Sequence, residues 1–332
     1  MISRTKRLLL ATTTLLILVA SFWMRSLASW RPVKVGRTST NKGPIEFLSE
    51  DGRTGLSFIY HGDEDDQYGD EITDFQSGRT TAWPDKEAIL GFSNTAPGLA
   101  ILADGERGQI RVRDVRTGRL KQTLPWVRGI FETRFVNTTR ASTVAIVGAD
   151  TFFSWDLNSG KQLIRVSLKN PFTTDDELYT LSPDGTRLVG CCWERGTIWN
   201  AQSGQVLKSW TIKGDVHPDL ISRDARVLVY NASEIDCYLF VDSSTGKVLW
   251  QRQKNGDDRA FPWLGEDDEV LFSTSEQCQV FDLSTGHLKR QLARPREIDG
   301  NFVRITHDYI YAVHNSSDTM NSNGEVWRWR AR

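Results

Sequence analysis

Short runs in which hydrophobic and polar residues alternate recur along most of this chain, and small polar turns separate them. Residues 109–113, 152–155 and 196–199 are typical, since they are rich in the β-branched and aromatic residues that favour pleated, half-buried surfaces. Helical pairs would need apolar residues three and four apart over longer segments, and turn signals this dense exclude them. The pattern therefore predicts an all-β fold.

The turns between these runs share the sequence Asp or Asn, two variable residues, Ser or Thr, and Gly. They begin at Asp74, Asp114, Asp156, Asn200, Asp242 and Asp282 and end at Gly78, Gly118, Gly160, Gly204, Gly246 and Gly286. The glycines follow one another at intervals of 40, 42, 44, 42 and 40 residues. Such a period is typical of propeller blades.

The residue types explain the turn. The Asp or Asn side chain can accept hydrogen bonds from the backbone N–H groups that follow it, and Gly adopts the positive φ that other residues resist. We expect each turn to join the third strand of a four-stranded unit to its outer strand.

Counting these units gives a prediction of blade number. Six turns imply six units, and a seventh unit follows with strands predicted at 302–305, 309–313 and 324–330. The last of these runs aligns with a third strand, so the seventh unit lacks its outer strand. Residues 30–332 are therefore predicted to form a seven-bladed β-propeller of four-stranded antiparallel blades.

Residues 31–36 form a spare extended segment ahead of the first unit. We expect this segment to supply the missing outer strand of the last blade, because ring closure removes a free strand edge. A linker is the alternative, since Pro32 suits an outer strand and a linker equally.

The amino-terminal residues 1–29 have the pattern of an export or membrane segment. Arg4, Lys6 and Arg7 precede an apolar run at 8–24, which is predicted to be helical and is about 25 Å long at 1.5 Å per residue. It is either a signal anchor or a signal peptide cleaved after Ala28. The first option gives a single-pass membrane protein with an extracytoplasmic propeller, and the second a secreted or periplasmic one.

Two short motifs resemble those of known propeller families. The pair Trp155 and Asp156 is similar to the dipeptide that ends a third strand in WD-repeat proteins, and residues 242–250 resemble the tryptophan-docking repeat of quinoproteins. The resemblance covers about residues 31–332 and implies a β-propeller. The Gly-His that opens intracellular WD repeats is missing.

Charge and composition narrow the functional classes. The chain has 41 basic and 42 acidic residues, a net charge of −1, so no nucleic-acid partner is expected. The five histidines show no metal-binding or catalytic spacing, and the four cysteines show no CxxC pair. We therefore predict no catalytic residues, no metal and no cofactor.

Two long connections between second and third strands, at residues 61–70 and 314–323, are the predicted binding region. They belong to units that are neighbours in a seven-bladed ring, and long loops on a rigid scaffold often carry binding. The candidate residues are His61, Asp63, Glu64, Asp65, Asp66, His314, Asn315 and Asp318. Tolerated insertions without function are the alternative.

These observations favour a membrane-tethered extracytoplasmic propeller that serves as a binding or assembly scaffold for unidentified protein partners. The alternative is an extracytoplasmic enzyme, either quinoprotein-like or acting on a glycan or small molecule. The adjacent pair Cys191 and Cys192 bears on that alternative, because quinoprotein dehydrogenases, which the repeats resemble, carry a vicinal disulfide beside their cofactor. Outer-membrane assembly lipoproteins have similar repeats, but here no cysteine follows the apolar segment to carry a lipid.

Overall fold

A computed structural model describes the chain in segments. They are 33–37, 45–48, 54–60, 68–74, 79–82, 87–93, 98–104, 108–115, 117–125, 133–140, 142–148, 150–172, 177–254, 263–264, 268–273, 277–293, 301–305, 309–315 and 324–330. The described residues form strands and turns and contain no helix. The all-β prediction is confirmed for this part of the chain.

The strands are numbered in chain order. The first nine are β1 (Val33–Arg37), β2 (Ile45–Leu48), β3 (Thr54–Tyr60), β4 (Tyr68–Asp74), β5 (Arg79–Ala82), β6 (Glu87–Phe92), β7 (Leu99–Asp104), β8 (Gln109–Asp114) and β9 (Leu120–Pro125). The next eight are β10 (Thr133–Thr138), β11 (Thr143–Gly148), β12 (Thr151–Asp156), β13 (Gln162–Ser167), β14 (Glu177–Leu181), β15 (Arg187–Cys192), β16 (Arg195–Asn200) and β17 (Val206–Thr211).

The remaining strands complete the chain. They are β18 (Val216–Ile221), β19 (Val227–Ala232), β20 (Cys237–Asp242), β21 (Val248–Gln253), β22 (Trp263–Leu264), β23 (Glu269–Ser273), β24 (Gln277–Asp282), β25 (Leu288–Ala293), β26 (Asn301–Ile305), β27 (Tyr309–Asn315) and β28 (Gly324–Arg330).

Consecutive strands pair in groups of four. The sheets are β2 to β5, β6 to β9, β18 to β21 and β22 to β25, and the groups β10 to β13 and β14 to β17 join through parallel pairing of β10 with β14. The last sheet has the order β26, β27, β28, β1, so the first strand of the chain pairs antiparallel with the last. β1 thus corresponds to the spare extended segment at residues 31–36.

Burial differs with position in a sheet. The second strand β11 is buried along its whole length, whereas the fourth strands β13 and β21 alternate between exposed and half-buried residues. The first strands therefore face the middle of the assembly, and β1, β5, β9, β13, β17, β21 and β25 are its outer strands. The hydrophobic cores lie between successive sheets: one cluster joins β14–β17 to β18–β21, and another joins β18–β21 to β22–β25.

The turn at Asp282 shows the geometry shared by the described turns. Its Oδ1 accepts hydrogen bonds from the backbone N–H of Ser284 at 3.1 Å and of Thr285 at 2.9 Å, and from both hydroxyls. The Gly286 N–H donates to the Asp282 carbonyl at 2.9 Å. Partial burial alone would raise the pKa of Asp282, but the hydrogen bonds from Ser284 and Thr285 and the charge of Lys289 lower it to about 2.

The turns at Gly160, Gly204, Gly246 and Gly286 also pack against the outer strand of the preceding sheet. A Cβ on Gly246 would lie 2.6 Å from the indole of Trp210, and one on Gly286 would lie 2.6 Å from that of Trp250. The Trp250 indole N–H also donates to the Leu283 carbonyl at 2.9 Å. The glycines are therefore needed for their positive φ and for the close approach of two sheets.

Among the described residues, no helix has the length and apolar character needed to span a membrane. The apolar segment at 8–24 lies outside the described residues.

Replacing Gly204 by alanine should destabilise the protein far more than replacing Gly98. Both have positive φ, +68° and +84°, but a Cβ on Gly204 would lie 2.0 Å from the backbone oxygen of Ser167, whereas Gly98 has no neighbour within 4 Å. We expect a loss of about 1 kcal/mol for Gly98→Ala and about 2–4 kcal/mol for Gly204→Ala in urea unfolding. Equal losses in the two variants would show that glycine is needed at position 204 for its positive φ alone and not for the close approach of Ser167.

Exchanging Asp and Asn at the first position of a turn should change how the free energy of unfolding depends on pH in acid. Because the folded-state pKa of Asp282 is lowered from 3.8 to about 2, its contribution to stability is complete above about pH 4 and is lost as the pH falls through 2. Asp282→Asn keeps an acceptor oxygen, as Asn200 does in its own turn. The free energy of unfolding at pH 7 should therefore change little. The decrease in that free energy between pH 4 and 2 should become smaller. Asn200→Asp is the reciprocal control and should increase that loss. An unchanged pH profile in both variants would contradict this account.

Candidate functional site

The binding residues predicted from the sequence fall largely outside the described part of the chain. His61, Asp63, Glu64, Asp65, Asp66 and Asp318 are not described, whereas His314 and Asn315 are the last two residues of β27 and pair with Glu325 and Gly324. The structure thus does not test whether these residues come together. Two connections of the same kind, from second to third strand, are described in the sheets β14–β17 and β18–β21.

Trp193 lies at the tip of one of these connections. Cys192 pairs with Arg195, so only two residues link β15 to β16. Trp193 has φ of +47° and its side chain is 41% exposed. A bulky residue in the left-handed region is unusual, because glycine, asparagine and aspartate adopt it at lower cost. The chain therefore holds an exposed indole at a position where a small residue would be more stable.

A histidine from the next sheet packs on this indole. The ring centroids of Trp193 and His217 are 4.7 Å apart with an angle of 49° between the planes. His217 Nε2 lies 3.3 Å from Oδ1 of Asp215. The indole is thus supported on one side by a neighbouring ring while much of its surface stays in contact with solvent.

Backbone hydrogen bonds bring the surrounding connections together. The Ile212 N–H donates to the Glu194 carbonyl at 2.8 Å, and the Ser233 N–H donates to the Asp215 carbonyl at 3.1 Å. Ile235, at the tip of the β19–β20 connection, is 55% exposed. We call the area formed by Trp193, Glu194, residues 212–217 and residues 233–236 the Trp193 surface.

A half-buried carboxyl group lies beside this surface. Asp219 occupies a bulge in β18, between Pro218 and Leu220, and its Oδ2 is buried with no hydrogen-bond partner. Burial raises the pKa of Asp219 to about 6, although the charges of Lys254 and His217 act in the opposite direction.

Lys254 extends across the end of the same sheet. Its Nζ donates to Oδ1 of Asn231, lies 3.7 Å from Oδ1 of Asp236 and stands 5.3 Å from the centre of the Tyr238 ring. Its ammonium group is therefore held by several partners.

Acidic residues outnumber basic ones in this area. The acidic ones are Glu194, Asp215, Asp219, Glu234 and Asp236, and the basic ones are Lys213 and Lys254. The Trp193 surface thus combines two exposed hydrophobic side chains with a surplus of negative charge, an arrangement suited to binding.

The adjacent cysteines do not form a reactive pair. Successive side chains of a strand point to opposite sides, and here Cys191 lies in the core between β14–β17 and β18–β21 while Cys192 lies in the core between β10–β13 and β14–β17. Burial also raises the pKa of the Cys191 thiol well above its usual range. A disulfide between them would require β15 to leave its register. Among the described residues, no group of three or more His, Cys, Asp or Glu side chains is placed to hold a metal ion.

The fold was compared with known proteins. No family model matches the chain, and no curated protein does. Among solved structures, the chain is similar to the β-propeller domain of Cps50 (Swd1) from Myceliophteria thermophila, with a TM-score of 0.54 and 14% sequence identity over 90% of this chain and 99% of that one. The fold of this chain is a β-propeller. At this identity the likeness establishes the propeller architecture alone.

Sequence reasoning missed the Trp193 surface because its parts come from different sheets. The only local signal was a tryptophan in the tight turn between β15 and β16, where turn chemistry favours Gly, Asn or Asp. The packing of His217 on Trp193 could not be derived from the spacing of residues in the sequence.

Asp219→Asn should stabilise the propeller in a pH-dependent way. Because the pKa of Asp219 is raised from 3.8 to about 6 in the folded protein, its ionised form destabilises the fold above pH 6, and this cost disappears as the pH falls below 4. We expect the variant to be more stable than the wild type by about 1–2 kcal/mol at pH 8 and equal to it at pH 4, as measured by urea unfolding. A gain that does not vary with pH would contradict this interpretation.

Proposed function

We propose that this protein is a membrane-tethered, extracytoplasmic propeller that serves as a binding or assembly scaffold for a protein partner. In this proposal residues 8–24 anchor the chain, the propeller has seven blades, and the Trp193 surface is a contact area for the partner.

Strand pairing supports the closed ring. β1 supplies the outer strand of the last sheet through pairs such as Val33 with Arg328 and Arg37 with Glu325. The inner strand of that sheet, β26, lies next to both β22 and β2, so the last sheet adjoins the first. Counting β10–β13 and β14–β17 as two blades joined by β10 and β14 then gives a ring of seven.

The exposed Trp193 is the observation on which the binding role rests. Tryptophan is among the residues that contribute most to protein interfaces, because it buries a large area at a small entropic cost. Its left-handed backbone lowers the stability of the fold, which is common at functional positions. The negative charge around it favours a partner segment that carries Lys or Arg beside an apolar side chain.

The anchor rests on the sequence pattern. Basic residues precede the apolar run at 8–24, an order that keeps the amino terminus cytoplasmic and exports the propeller. The Cys191 and Cys192 geometry gives no support to the quinoprotein-like alternative, and the described residues provide no observation that favours an enzyme.

Trp193→Gly should weaken partner binding without lowering the stability of the propeller. Glycine relieves the left-handed backbone, so the variant should unfold at equal or higher urea concentration, while capture of the partner from detergent-solubilised membranes should fall by at least about tenfold. The readout is quantitative mass spectrometry of proteins that co-purify with the full-length chain.

Ile235→Ser and Leu207→Ser form a matched pair, because both side chains are 55% exposed and only Ile235 belongs to the Trp193 surface. Capture should fall with the first and stay unchanged with the second. Full capture by both Trp193→Gly and Ile235→Ser would rule out this surface as the contact area.

A further inference from the structure

The carboxyl group of Asp219 has an oxygen to which no described residue donates a hydrogen bond, although that oxygen, Oδ2, is buried. Buried charged groups are normally paired. The two basic groups that act on its charge are His217 and Lys254, and both have other acceptors. His217 Nε2 faces Asp215, and the Lys254 Nζ donates to Asn231. The carboxylate of Asp219 therefore has capacity for a further donor.

This carboxylate is accessible to such a donor. Asp219 is half-buried and not enclosed in the core. Rotation about its Cβ–Cγ bond exchanges the two oxygens at little cost, because the last torsion of an aspartate side chain is broad. A group that approaches the exposed side of the residue can therefore contact either oxygen.

A β-bulge places Asp219 where it is. The residues on either side, Pro218 and Leu220, pair with consecutive residues of β19, so Asp219 is the additional residue. Bulges redirect a side chain and are frequent beside functional sites. The bulge itself does not require an acid, because β6 has one at the same point and its additional residue, Leu90, packs against the core. The backbone therefore does not explain the carboxylate.

Two unfavourable residues lie close together here. Burial raises the pKa of Asp219 to about 6, so its ionised form lowers the stability of the fold at neutral pH. Trp193 has a left-handed backbone that also costs stability. The ring of His217 connects them, since it contacts the Trp193 ring and acts on the charge of Asp219. Costly features that adjoin in this way are typical of functional sites.

The positions of these residues favour a long partner side chain. Asp219 comes two residues after His217 in β18 and is further from the connection at 212–215. At about 3.3 Å per residue it lies roughly 6 Å deeper than the ring that packs on Trp193. A side chain that contacts both needs an extended apolar stem and a donor at its end. Lys and Arg have this form, and their charge strengthens a hydrogen bond to a carboxylate.

We propose that Asp219 binds the terminal charge of a Lys or Arg side chain of the protein partner, while the stem of that side chain packs along the rings of Trp193 and His217. This inference rests on the proposed function, because it requires that the Trp193 surface binds a protein. It identifies the residue that selects which partner side chain is accepted.

The test uses the purified full-length protein in detergent, with a displayed library of short random peptides as the probe. Peptides are selected on the wild type, and their dissociation constants are measured on three variants. Asp219→Asn removes the charge and keeps the shape. Glu234→Gln is the matched control, since it makes the same chemical change at an exposed acid of the Trp193 surface. Trp193→Gly removes the indole, and urea unfolding confirms that each variant is folded.

The selected peptides should be rich in Lys or Arg beside apolar residues. Asp219→Asn should weaken their binding about tenfold or more, because a hydrogen bond between two charged groups is lost. Glu234→Gln should weaken it less than about threefold, as expected for an exposed charge. Replacing the Lys or Arg of a peptide by Gln should weaken binding to the wild type but not further weaken binding to Asp219→Asn, because both changes remove one contact.

The pH dependence gives a second readout. Peptide affinity for the wild type should decrease as the pH falls through about 6, because protonation of Asp219 removes the charge that Lys or Arg contacts. His217, Lys254 and Cys191 also lie near this carboxyl group and are retained in Asp219→Asn. The decrease should therefore disappear in that variant, and a decrease of the same size would overturn the assignment to Asp219.

The outcomes separate this inference from the proposed function. Peptides that require Trp193 but bind equally well to Asp219→Asn and Glu234→Gln overturn the role of Asp219 and leave the Trp193 surface as the contact area. Peptides that bind Trp193→Gly as tightly as the wild type, or a library that yields no binder, overturn both.

Discussion

The contact between an Asp/Asn-x-x-Ser/Thr-Gly turn and the outer strand of the preceding sheet, seen at Gly160, Gly204, Gly246 and Gly286, is the constraint on which the described part of the propeller depends. The carboxylate or amide organises the turn, and at Gly204, Gly246 and Gly286 the glycine lets a neighbouring sheet approach to a distance that a side chain would prevent. Trp250 shows the result most clearly, because its ring covers Gly286 while its indole N–H bonds the Leu283 carbonyl. Successive sheets are therefore fixed to one another at their turns as well as through the apolar cores between them.

A frame held in this way leaves other connections free to vary. In the turns, glycine adopts the left-handed conformation. In the connection between β15 and β16, Trp193 adopts it, and the regular pairing of these two strands holds the connection in place. The left-handed conformation has different consequences at the turn glycines and at Trp193. In the turns it allows sheets to approach, whereas at Trp193 it presents a large aromatic side chain to solvent beside His217.

Features encoded locally could be predicted from the sequence. The third strands and the turns from Asp114 to Asp282 each depend on residues that are close in the chain, so periodicity and turn chemistry were sufficient. The raised pKa of Asp219 depends on a bulge in β18, and the Trp193 surface depends on contacts between neighbouring sheets, which a repeat pattern does not specify. The long loops at 61–70 and 314–323 lie largely outside the described residues, so their binding role stays a prediction.

The central claim, that a protein partner binds the propeller through the Trp193 surface, is most directly tested by lysine cross-linking of the captured complex. Lys213 lies in that surface, whereas Lys161 and Lys247 follow turn glycines on the outer part of the molecule, and all three are exposed. Mass spectrometry should find links from the partner to Lys213, and few or none to Lys161 and Lys247. Links concentrated on Lys161 and Lys247, with none to Lys213, would contradict the account.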